Sequence, residues 1–196
     1  MEKGRVEAFS DGVIAVIITI MVLELKPPHM PTWEALRDNW HVFVSYVLSF
    51  VYVGLYWNNH HHLFSACRHV NGKVMWANLH FLFWLSLFPF TTAWLNEAEP
   101  LPASVPTALY GFVLLMTALS WIPLSRALIA CNGGSDSRLA RAIGGRGDWK
   151  TLASLALYLC ALVSAPFAPI LSCVIYALVA ALWIIPDRRI ELEISS

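Results

Sequence analysis

Three consecutive histidines, His60-His61-His62, and a second polar pair, Asn78 and His80, are the side chains of this sequence best equipped for chemistry. A third group, Ser10-Asp11, follows Arg5 and Glu7 by little more than a helical turn. Imidazole suggests metal ligation or proton transfer at physiological pH. Successive helical residues point about 100° apart, so three histidines in a row cannot converge on one ion. No cysteine or carboxylate stands three or four residues away to complete a zinc set. We therefore expect no metal site and no cofactor. Neither HExxH nor GxSxG occurs, so an enzyme is not expected either. Two uses remain for these groups: a proton relay, or a hydrogen-bonded scaffold between helices.

The elements that must position them are set by composition. Of 196 residues, 58% are hydrophobic and 13% charged, against about 45–50% and about 25% in soluble domains. This is the profile of an all-α, multi-pass membrane protein. A formal net charge of zero argues against a nucleic-acid partner, which requires a basic field. The four cysteines form no CxxC pair and fall in separate apolar segments, as small core residues do. The first apolar stretch lacks a small-x-small cleavage site, so no signal peptide is expected.

Six spans are expected, at about 6–25, 40–66, 74–95, 107–130, 151–165 and 170–186, forming one transmembrane domain over residues 1–196. Pro27, Pro28 and Pro31 stop the first, and Thr32 is placed to N-cap a short amphipathic piece carrying Glu34, Arg37 and Asp38. Pro123 is expected to kink or shorten the fourth span. Pro166 and Pro169 bracket a tight hairpin between the last two. With six spans, one side of the membrane receives Lys3, Arg5, Arg68, Lys73, Arg126, Arg138, Arg141, Arg146, Lys150, Arg188 and Arg189, and the other only Lys26 and Arg37. The positive-inside rule then makes both termini cytoplasmic.

That topology brings the polar groups together. The second span runs inward and ends near Asn58 to His62, and the third starts from the same side near Asn78 and His80. Ser10 and Asp11 have a simpler reading as a helix N-cap with an acid in the first turn. The alternative is a buried network of Arg5, Ser10, Asp11, His60 or His61, Asn78 and His80, because polar groups in lipid must find partners. On the first span Val16, Ile20 and Leu23 recur at i, i+4 and i+7, with Thr19 beside them. Such a stripe is either ordinary packing or a pore face of stacked aliphatic rings. Periodicity leaves both open. Glu24 is either a cation-attracting ring at the outer end or an interface residue. No TVGYG filter is present, which excludes a pore-loop potassium channel.

Arg5-x3-Phe9-Ser10-Asp11-Gly12 opening the first span resembles the signature of the transmembrane protein 175 family, the endolysosomal potassium channels and their prokaryotic relatives. Trp57-Asn58-Asn59-His60-His61 and the Asn78…Leu87-Phe88-Pro89-Phe90 pattern are similar to its other marks. The resemblance implies a potassium-permeable cation channel whose central pore is lined by the first helix of each subunit. Val16, Ile20 and Leu23 would form its hydrophobic layers and Thr19 a hydroxyl-bearing one. Glu24 would stand at the outer mouth. Arg5, Phe9, Ser10, Asp11, His60, His61, Asn78 and His80 would hold the pore helix without touching the ion. Animal members carry two six-span repeats; with one, this chain would assemble as a homotetramer in the plasma membrane and pass monovalent cations such as K+. Val16 stands where relatives often carry isoleucine or leucine, which implies a wider layer there. The rival expectation is a proton-coupled secondary transporter using Asp11 and the histidines as a relay. A membrane adaptor without transport is a third.

Overall fold

The computed structural model describes residues 2–99, 101–134, 140 and 147–184. Arg138, Arg141, Arg146, Arg188 and Arg189, which enter the charge asymmetry, and the end of the sixth expected span lie outside the described residues. The described chain consists of helices α1 (Lys3–Leu23), α2 (Trp33–Asp38), α3 (Trp40–Ser65), α4 (Gly72–Leu85), α5 (Phe88–Glu97), α6 (Ser104–Cys131), α7 (Gly147–Ser164) and α8 (Pro169–Ile184).

Among the described residues, four stretches are long and apolar enough to cross a membrane: α1, α3, the α4–α5 pair and α6. At about 1.5 Å per residue, the 21 residues of α1 reach about 30 Å, the thickness of the hydrocarbon core. Two further apolar helices, Trp149–Ser164 and Pro169–Ile184, are shorter.

α1 begins at Lys3, earlier than expected, and a Lys3–Glu7 ion pair of 3.5 Å one turn apart supports its first turns. Ser10 and Asp11 therefore lie well inside the helix, and the N-cap reading of this pair is wrong. Glu24 is the C-cap. Thr32 does cap α2, accepting from the Ala35 backbone N–H at 3.2 Å.

The third expected span is two helices. Pro89 sits in the first turn of α5 and has no N–H to offer the Leu85 carbonyl four residues back. The chain turns at Ser86-Leu87, where Ser86 N–H donates to the Leu82 carbonyl (2.9 Å) and Leu87 N–H to that of Trp84 (3.3 Å). The fourth expected span is not shortened: α6 runs unbroken through Pro123.

α1 packs against α3, α4 and α5, while α6 joins α4, α5, α7 and α8. Between them lies a core rich in aromatic residues, including Phe64, Phe81, Phe88, Tyr52, Tyr110 and Tyr176. In a medium where lipid is as apolar as the core, close packing and hydrogen bonds select the arrangement. Tyr176 shows both. Its ring lies directly against Gly111, where any Cβ would overlap the hydroxyl. That hydroxyl donates to the Thr107 carbonyl at 3.1 Å, and the Tyr176 carbonyl accepts from Tyr52 at 2.6 Å, tying α3, α6 and α8 together.

The α7–α8 hairpin closes as expected. Ala168 N–H donates to the Ser164 carbonyl (2.8 Å), and the Ser172 hydroxyl donates to the Ala161 carbonyl (2.7 Å). Of the cysteines, Cys67 is buried and Cys160 exposed, so Cys160 is not a core residue. Just past α3, burial pushes the Cys67 thiol up to about 11.

Candidate functional site: the two faces of the first helix

The inward face of α1 carries Val6, Ser10, Ile14, Ile17 and Met21, all buried. Their spacing of three and four residues is that of one helical face. Amid this apolar stripe the Ser10 hydroxyl donates to the Val6 carbonyl at 2.8 Å and accepts from Asn78 Nδ2 at 2.9 Å. Asn78 Oδ1 lies 2.8 Å from His60 Nε2. An amide oxygen only accepts, so His60 must carry its proton on Nε2. The bonds then run in one direction, from His60 on α3 through Asn78 on α4 to Ser10 on α1 and the α1 backbone. All three side chains are at most 1% exposed. The His60 ring is further clamped between Phe64 and Phe81, with centroids 4.4 and 6.0 Å away. This chain fixes the rotation of α1 about its own axis.

The other residues named from sequence do not join it. Asp11 is exposed and accepts from the Trp57 indole N–H at 3.0 Å. Trp57 stacks on His61, which is also exposed, with centroids 6.0 Å apart. Asp11, Trp57 and His61 thus form a second, solvent- or lipid-side link between α1 and α3. His80 is exposed and accepts from Trp84 within its own helix at 2.9 Å. Arg5 is exposed and makes no ion pair among the described residues; it lines an open groove of about 660 Å³ with Glu2, Phe9, Met75 and Leu79, beside Asn78. His60, His61 and His62 differ in burial and in neighbours and do not converge.

The outward face of α1 presents Phe9 (54% exposed), Val16 (55%), Ile20 (42%) and Leu23 (77%), with Thr19 and Glu24 also exposed. The Thr19 hydroxyl donates back to the Val16 carbonyl at 2.8 Å. That satisfies its proton within the helix and leaves the face free of unmet donors. Beyond Leu23, Lys26 pairs with Glu97 at 2.7 Å, fastening the C-terminal end of α1 to α5. This pair raises the Lys26 pKa, chiefly through the hydrogen bond to Glu97.

Sequence reasoning missed a second buried polar cluster. The Ser49 hydroxyl lies 2.8 Å from Thr92 and 2.9 Å from the Tyr110 hydroxyl, and Ser45 donates to Asn96 at 2.7 Å. The available signal was Ser45, Ser49 and Tyr52 at i, i+4 and i+7 on α3, one polar stripe on an apolar helix. Asn132 was also missed. It accepts from the backbone N–H groups of Arg68 and His69 at 2.7 and 2.9 Å, clasping the α3–α4 connection to the end of α6.

An apolar helical bundle, pinned by a buried polar chain and leaving an aliphatic stripe uncovered on its first helix, defines a multi-pass α-helical membrane protein. Comparison with known proteins narrows the class. Residues 5–89 match the family described as endosomal/lysosomal potassium channel TMEM175. A potassium channel of Chryseobacterium sp. (strain P1-3) is 47% identical over 191 residues, which is 97% of this chain and 97% of that one. A potassium channel of Streptomyces collinus is 37% identical over 151 residues, 72% of this chain and 73% of the other. The crystal structure of a lysosomal potassium-selective channel TMEM175 homolog from Chamaesiphon minutus superposes with a TM-score of 0.79 at 28% identity, covering 93% of this chain and 96% of that one. The chain belongs to the TMEM175 family of potassium channels.

Proposed function

We propose that this chain is the subunit of a homotetrameric, potassium-permeable cation channel in which α1 of each copy lines a central pore. The observation that carries the reading is the two-sidedness of α1: Ile17 is 3% exposed and its neighbour Val16 is 55% exposed. In a lone subunit the outward stripe has no partner among the described residues, and a ring of four such stripes encloses a passage narrowed by Val16, Ile20 and Leu23. Stacked aliphatic rings restrict ions by excluding water. Thr19 offers a hydroxyl oxygen between them and Glu24 a carboxylate at the outer mouth. The buried chain of Ser10, Asn78 and His60 serves as the scaffold that sets which face of α1 meets the axis, and the link from Asp11 to Trp57 braces it from the other flank. The short helices α7 and α8 complete six spans in one domain, with both termini cytoplasmic by the charge asymmetry.

The test is ion flux from the purified protein in liposomes, comparing potassium, sodium and a large organic cation. Passive flux that favours potassium supports the channel. Flux that requires a proton gradient contradicts it and favours the transporter.

A further inference from the structure

A small, partly open cavity of about 40 Å³ lies away from α1, between α3, α6, α7 and α8. Its walls are aromatic: Tyr52, Tyr56 and Tyr158, with Trp121 and Trp183. Ala118 forms part of the remaining wall. A single water needs about 10–15 Å³ of such space, so the cavity has room for more than one water or for one small organic molecule. It is not a plain apolar void. Asn59 points a half-buried amide to its lining, and that side chain has no hydrogen-bond partner in the described structure. Ser154 also lines it and accepts from the Trp183 indole at 2.8 Å, which fixes the Trp183 ring as a wall.

The half-buried Asn59 amide stands beside aromatic rings without a protein partner, and a guest that carries one hydrogen-bonding group can pair with it. Ligand sites commonly combine apolar and aromatic walls with few polar groups of this kind. We propose that this cavity is a binding site for a small neutral amphiphile of the short-chain alcohol class. Its hydroxyl pairs with Asn59, and its carbon chain lies against the Tyr56, Tyr158 and Trp121 rings. Among the described residues the lining contains no carboxylate, lysine or arginine, which disfavours an ionic guest. None of the residues that line it belongs to α1.

The probe is 2-bromoethanol, whose bromine quenches tryptophan fluorescence on close approach. In the full-length protein in nanodiscs, quenching is expected to contain a saturable component from Trp121 and Trp183, above the linear quenching of tryptophans at the protein surface. Ala118→Leu fills the cavity and is expected to abolish the saturable component while the linear one persists. Ala118→Val makes the same test with a smaller side chain, should the leucine variant not fold. Asn59→Leu removes the amide and is expected to weaken the saturable phase about fivefold, the ordinary effect of one hydrogen bond. Purely linear quenching of the native protein overturns the proposal, as does a saturable phase that both Ala118 variants leave unchanged.

Discussion

Two residues side by side on one helix, Val16 and Ile17, live in different environments. Ile17 is packed into the core of its own chain and Val16 is not. The same division runs the length of α1, with Ser10, Ile14, Ile17 and Met21 on one side and Phe9, Val16, Ile20 and Leu23 on the other. Hydrophobicity does not distinguish the two faces, since both are aliphatic. The polar chain does. With Ser10 tied to Asn78, and Asn78 to His60, α1 cannot rotate without leaving buried hydrogen-bonding groups unmet, so a few polar atoms decide which aliphatic stripe the fold consumes.

The largest effect expected from this contrast is on stability. Ile17→Ala empties a packed site and should cost about 2–5 kcal/mol, read as a fall in thermal or denaturant midpoint in detergent. Val16→Ala, one position away, should stay within about 0.5 kcal/mol. Equal losses at the two positions would erase the distinction between the faces. Next comes Asn78→Ala, which strands the His60 N–H and takes from Ser10 the bond its oxygen accepts. The expected cost is about 1–3 kcal/mol, and combining it with Ser10→Ala should cost less than the sum of the two, because both remove the same bond. Strict additivity would mean that the bond contributes nothing. The smallest effect is at the C-terminal end of α1. Lys26→Ala breaks an exposed ion pair and should leave the thermal midpoint within measurement error, as isolated surface pairs usually do.

Much of this arrangement was legible in the sequence, and helical geometry explains the part that was not. Apolar length located α1, α3 and α6 within a few residues, because lipid demands it. The break between α4 and α5 came from Pro89, whose missing donor was visible while its consequence inside an apolar run was not. Topology alone brought Ser10, His60 and Asn78 to one side of the membrane. It could not supply helical phase. His80 lies two residues past Asn78, about 200° round the helix, and so turns outward to Trp84. Asp11 is about 100° from Ser10 and meets Trp57 at the surface. Arg5 is five residues from Ser10, about 140° off in phase, and reaches the groove rather than the buried chain. The cluster around Ser49 escaped notice because serines and tyrosines on an apolar helix carry no charge to draw attention. They still need partners once buried.

The most direct test of the central claim, that the outward face of α1 lines the ion path, is at Leu23. In Leu23→Cys channels reconstituted in liposomes, a water-soluble, charged thiol reagent should block potassium flux in proportion to labelling, while the unsubstituted protein keeps its flux under the same treatment. Full flux after complete modification of the introduced thiol would contradict the claim and place the pore elsewhere.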